Sequence, residues 1–168
     1  MKYKFTDEWL DLVDENDRVI DRMLRSEVMK KDLHNFRAVV GFVKNSKGQL
    51  WIPRRVKEKI IYPLALDMSV AGHVSSGETY DEAFEREARE EIGFNGAYKF
   101  LGKLTPQDGT CCFDHVYEIV SDDEPRYSSF DFCEAFWLYP VEILSKIDAG
   151  EACKSDLAFL VRYFYLSE

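Results

Sequence analysis

Between Gly72 and Phe94 the chain carries a stretch whose charges sit where an ordinary surface helix would not put them. Thr79 and Glu82 have capping-box spacing, which predicts a helix from Tyr80 to a stop at Gly93. At about 100° per residue, Tyr80, Phe84, Ala88 and Ile92 fall on one apolar stripe. Glu82, Glu85, Arg86 and Arg89 point toward the opposite, solvent side. Glu87 and Glu91 do not. Glu91 projects about 20° from Phe84 and Glu87 about 60°, with Glu90 just past the edge of the stripe. Carboxylates held against a core are costly unless they are paired or bind a cation.

Gly72, Glu78, Arg86, Glu87, Glu90, Glu91 and Gly93 keep one fixed register, with apolar Ala88 and Phe94 between and after them. They fill every fixed position of the Nudix box, G-x5-E-x7-R-E-U-x-E-E-x-G-U. A chance match of these seven residues in a chain of this length has odds of about one in a million. The sequence therefore resembles the Nudix hydrolases. The resemblance implies an α/β/α sandwich with a mixed β-sheet and Mg²⁺-dependent cleavage of a diphosphate linkage, and it names no substrate.

The residues themselves support a cation site. Glu87, Glu90 and Glu91 lie at i, i+3 and i+4, so their side chains can converge. Glu78, just before the helix, can add a ligand from the loop. Mg²⁺ is a hard ion that takes carboxylate and phosphate oxygens together and keeps several waters, and Mn²⁺ can substitute for it. Bound there, it would screen phosphate charge and lower the pKa of an attacking water. Arg86 reaches Glu82 and Glu90 at helical spacing. The family resemblance gives the matching arginine the role of orienting a box glutamate, which places it with the catalytic set.

A second similarity covers about residues 11–94. Lys47 through Arg55, then Asp67 through His73, resemble isopentenyl diphosphate isomerases, which share the fold. Ala71 stands where that family carries its catalytic cysteine, and Phe36 where it carries a histidine. An alanine cannot move a proton at an allylic carbon. The full Arg-Glu-x-x-Glu-Glu run is also a hydrolase feature. Isomerisation is disfavoured, and so is a noncatalytic ligand sensor, because a sensor needs no intact carboxylate set.

Outside the box, Arg54, Arg55, Lys57 and Lys59 form the densest basic cluster. Arg54, Arg55 and Lys57 are candidate phosphate contacts, although only one of Arg54 and Arg55 can face a cleft from a continuous strand. His73 is a candidate substrate contact, and Glu134 a candidate general base. Asp114 and His115 read as ordinary polar strand residues.

The 168 residues are 46 % hydrophobic with a net charge of −9. This fits one acidic domain with a real core and disfavours nucleic acid or an anionic membrane surface as partner. The expected partner is a small phosphorylated molecule, a nucleotide by resemblance, with a homodimer left open. Four cysteines without metal spacing, and no signal peptide or membrane-length apolar run, point to a cytoplasmic protein. Residues 1–34 are expected as a hairpin and short helix packed on or extending a Nudix domain over 35–168. The hairpin strands are expected at 9–15 and 18–22, followed by a helix at 26–31. Further strands are expected at 36–43, 50–54, 67–74, 98–104, 112–120 and 132–139. Helices should follow from Pro140 to Ile147 and from Ser155 onward.

Overall fold

The computed structural model describes residues 6–167. Strands β1 (Trp9–Val13) and β2 (Val19–Leu24) form an antiparallel hairpin, and helix α1 (Arg25–Lys30) follows at once. Then come β3 (Arg37–Lys44), β4 (Leu50–Arg55), β5 (Val70–His73), α2 (Tyr80–Ile92), β6 (Lys99–Leu104), β7 (Phe113–Val120), β8 (Phe132–Leu138), α3 (Pro140–Asp148) and α4 (Leu157–Tyr165). One sheet runs β6-β7-β3-β4-β8, with β5 paired to β3 off that path. It is mixed, because β3 and β7 are parallel while the other pairs are antiparallel. A parallel neighbour requires a long crossover, and α2 lies within the one that joins β3 to β7.

Period-two alternation along β3 and β4 sorts the core into two layers. Val39, Val43 and Trp51 pack with Phe84, Ala88 and Ile92 of α2. Val40, Phe42, Leu50 and Ile52 pack with Ile143 of α3 and with Leu157, Leu160 and Val161 of α4. The result is helix, sheet, helix. A third cluster joins Leu10 and Leu12 of the hairpin to Val28, Phe36 and Cys112. The hairpin is also stitched to the loop after β5, where Ser76 donates from its hydroxyl to Asp11 at 2.6 Å and from its amide to the Trp9 carbonyl at 2.7 Å. That docking brings Glu8 to 3.2 Å from His73 of β5, with Arg25 3.6 Å from Glu8.

The box helix starts and stops where its chemistry dictates. Thr79 Oγ1 accepts from the Glu82 amide at 3.2 Å, and the Glu82 carboxylate accepts from the Thr79 amide at 2.8 Å. Gly93 ends the helix at φ 63°, a left-handed cap that costs glycine nothing. Thr79→Ala is expected to lower stability by about 1 kcal/mol in a denaturant titration, because an N-cap amide loses its acceptor. The strand expected over 67–74 is shorter, since Asp67 leaves the ladder: its amide donates to the Pro53 carbonyl and its carboxylate holds Arg55. Among the described residues no helix is long and apolar enough to cross a membrane.

Candidate active site

A cleft of about 460 Å³ opens between β3, β5 and the box helix. Glu87, Glu90 and Glu91 line it, as do Gly72 and His73. Gly72 has a steric reason to be glycine: a Cβ there would lie 2.1 Å from the Glu87 Cδ. The absence of a side chain on β5 lets the Glu87 carboxyl lie against the strand. One turn on, Glu91 accepts from the Ala71 amide at 3.0 Å. Burial and the neighbouring Glu87 charge hold the Glu91 carboxyl well above the usual carboxylate range, and burial raises Glu87 despite Arg86. Two desolvated acids side by side repel when both ionise, and a cation between them would relieve this.

Arg86 is the positioning hub. Its phase on the helix points outward, yet the long side chain folds back over the loop. It grips Glu78 through two nitrogens at 2.7 and 2.9 Å, Glu87 at 2.6 Å and the His73 carbonyl at 3.1 Å. Its contact with Glu90 is looser, at 3.8 Å. Glu78 thereby stands behind the arginine, with Ser75 donating its amide to the same carboxylate at 2.9 Å, and does not line the cleft. Among the described residues, no three carboxylate, imidazole or thiol side chains close on one point as a finished metal cage. The chemistry of the inward set nonetheless suits a hard divalent cation: all its donors are carboxylate oxygens, two of them are desolvated, and Glu91 has one amide hydrogen bond.

The other expected residues divide sharply. Arg55 lines the cleft and pairs with buried Asp67 at 2.6 Å. Arg54, one residue earlier, points the other way, into ion pairs with Glu134 at 2.5 Å and with Glu151. Strand alternation separates the two arginines, and the β4–β8 register sets Arg54 opposite Glu134. Arg54 and Glu134 therefore occupy each other and line no part of the cleft, so a general base at Glu134 and a phosphate contact at Arg54 are not where the sequence suggested. Lys57 is exposed on the loop beyond β4, also outside the cleft, while Lys59 of the same loop lines it. His73 lines the cleft, with Nδ1 3.2 Å from Glu8 and its ring edge-on to Phe36, and burial lowers its pKa.

Sequence reasoning missed Glu8, Arg25 and Lys154 as cleft residues and passed over Asp114. Only the register could have found Asp114. Ala38 sits between His73 on β5 and Asp114 on β7, and registered neighbours share a face. His115, the next residue, turns to the opposite face and stacks on Tyr80 at 3.5 Å between centroids.

The family model of the NUDIX domain matches residues 34–156. The chain belongs to the Nudix family. It is 50 % identical over 162 residues to an uncharacterized Nudix hydrolase of Nostoc sp., covering 94 % of this chain and 96 % of that one. A Nudix hydrolase of Deinococcus radiodurans is 46 % identical over 167 residues, with 97 % of each covered. A crystal structure of a Deinococcus radiodurans protein superposes with a TM-score of 0.89 at 46 % identity, over 94 % of this chain and 99 % of that one. A MutT protein from Methanosarcina mazei Go1, at 19 % identity and a TM-score of 0.61 over 76 % of this chain and 91 % of that one, shares the fold alone. Membership in this hydrolase family implies hydrolysis of a nucleoside diphosphate-linked compound.

Proposed function

We propose that this Nudix chain hydrolyses the diphosphate linkage of a nucleoside di- or triphosphate, or a related nucleotide conjugate, using Mg²⁺ or Mn²⁺ and attack by water. The observation that carries this reading is the pair of desolvated carboxyls, Glu87 and Glu91, set at the wall of a nucleotide-sized cleft. Glu87, Glu90 and Glu91 would hold the metal, with Glu78 acting through Arg86. When bound, the cation supplies charge neutralisation for the diphosphate and a more acidic water. The chain's own residues do the rest. Arg86 fixes the Glu87 carboxyl, and the Ala71 amide fixes Glu91, so neither must be reorganised when substrate arrives. Arg55, Lys59 and Lys154 place positive charge along the same cleft in an otherwise acidic molecule, where phosphate oxygens can be met. The apolar walls formed by Phe36, Val40 and Met68 exclude bulk water from that end.

The test is a panel of nucleoside di- and triphosphates, nucleotide sugars and isopentenyl diphosphate, with and without Mg²⁺ or Mn²⁺. Metal-dependent phosphate or pyrophosphate release from the nucleotides is expected. Double-bond migration in isopentenyl diphosphate, or binding without turnover, would replace this reading. Metal that binds only the folded chain should also raise the melting temperature with its concentration. A metal present at about a hundred times its Kd adds about 2.7 kcal/mol. A melting curve indifferent to millimolar Mg²⁺ and Mn²⁺ would count against the carboxylate set as a metal site.

A further inference from the structure

Asp114 is a buried acid of the cleft that the hydrolytic reading leaves without a task. It is 3 % exposed and lines the cavity. Among the described residues its only hydrogen-bond donor is the Cys112 thiol, 3.4 Å away, and a thiol is a weak donor. A carboxyl withdrawn from water with a single weak partner is expensive, and folded chains keep such groups where a ligand completes them. Its position relative to the box is fixed by the sheet. Asp114 and His73 flank Ala38 on one rung, two strand spacings apart, or about 10 Å. Glu87 and Glu91 lie beyond, against Gly72 and Ala71. A sugar and its phosphates can bridge that distance, with the base at one end and the diphosphate at the other.

Burial and the Asp156 charge favour the neutral form of Asp114, against the Cys112 thiol and Lys154, which favour ionisation. Cys111 and Cys112 face it from the loop before β7. Asp156 and Lys154 face it from the segment before α4, where Asp156 repels it and Lys154 is drawn to Asp67 at 3.7 Å. Burial comes first among the causes, and the carboxyl is pushed up to about 7. A neutral carboxyl offers an O–H donor beside a carbonyl acceptor, whereas a carboxylate offers acceptors only.

We propose that Asp114 reads the nucleobase, its carboxyl pairing with an exocyclic amine beside an unprotonated ring nitrogen, the edge that cytosine and adenine share. This rests on the hydrolase reading and narrows its substrate class. Uracil and hypoxanthine present a carbonyl beside a ring N–H. They can pair with the neutral acid only by reversing its donor and acceptor, and the Cys112 thiol, donating to Oδ1, opposes that reversal by marking Oδ1 as the acceptor. A well-placed bidentate contact discriminates by about ten- to hundredfold.

The experiment compares two substrate pairs that differ only at this edge: cytidine with uridine diphosphate, and adenosine with inosine diphosphate. The metal-loaded wild type, Asp114→Asn and Asp114→Leu are assayed for kcat and KM. The wild type is expected to favour the amino member of at least one pair by about tenfold or more, and the favoured pair tells which ring size the pocket takes. Asp114→Leu replaces a buried acid by an apolar group with the same branched heavy-atom outline, so the fold should persist while the preference collapses through KM. Asp114→Asn keeps a donor beside an acceptor and should retain the preference. Equal kcat/KM within both pairs for the wild type overturns the proposal, and so does a preference that survives in Asp114→Leu. Titration calorimetry with the four α,β-methylene diphosphates reads the same preference without turnover. If no nucleotide is hydrolysed yet the amino bases still bind tighter, the hydrolase reading falls and the base-reading role stands. Equal binding of all four overturns the latter.

Discussion

Glu87→Gln and Glu91→Gln are each expected to lower kcat by at least about a hundredfold while raising the melting temperature of the metal-free protein. The two effects have one cause. Each carboxyl is held out of water beside the other, so ionisation is unfavourable until a cation arrives. Glutamine keeps the shape and removes the charge. It relieves the apo protein and deprives the loaded one of a ligand. The pH dependence carries a definite sign. An acid whose folded pKa lies above its unfolded value binds more protons folded than unfolded, so apo stability falls as pH rises through the gap between the two. For Glu87 the gap runs from 4.5 to about 7. Metal-free wild type should therefore melt progressively lower from pH 4.5 to 7. Each variant should show a shallower slope, and saturating Mg²⁺ should offset the loss in wild type alone. Unchanged kcat in both variants would remove the helix from the mechanism. A melting temperature flat across that pH range would remove the desolvation argument.

Much of this site was legible in the sequence because helical phase is a local property. The angles of Glu87 and Glu91 relative to Phe84, and the Thr79–Glu82 cap, require nothing beyond α2 itself. The same holds for the strand layers, where Val39 and Val40 separate by alternation. What failed to show was set by partners distant in sequence. Arg86 has an outward phase, yet three methylenes and a planar fork let it return to Glu78, Glu87 and the His73 carbonyl. Alternation shows that Arg54 and Arg55 face opposite ways. It cannot show which faces the cleft, because that depends on Glu134 across β8 and on Asp67 after the loop. Asp114 and His115 looked equivalent until the parallel β3–β7 register set one beside Ala38 and turned the other onto Tyr80. Glu8 reaches the cleft only because the hairpin docks on the loop after β5, a contact between chain segments more than sixty residues apart. The hairpin pattern predicts the strands and is silent about the docking.

Gly72→Ala is expected to lower kcat/KM by about ten- to hundredfold with little loss of stability, a separation that most core substitutions do not show. The added methyl would lie 2.1 Å from the Glu87 Cδ and 2.3 Å from its Oε1, so the carboxyl must move. The displaced atoms are the far end of a flexible side chain, and Gly72 has no left-handed backbone to strain, so the strand itself can stay in place. What cannot survive is the position that Arg86 fixes at 2.6 Å. If that carboxyl holds the metal as proposed, moving it by about an ångström costs activity out of proportion to its cost in folding. The check is a double-mutant cycle with Glu87→Gln, reading both kcat/KM and the melting temperature. If Gly72 acts by leaving room for the Glu87 carboxylate, Gly72→Ala should cost far less in the Glu87→Gln background, where that ligand is already lost. Additive losses would show that the methyl disturbs β5 or the substrate directly. Wild-type activity in Gly72→Ala would show that catalysis does not depend on where the Glu87 carboxyl rests.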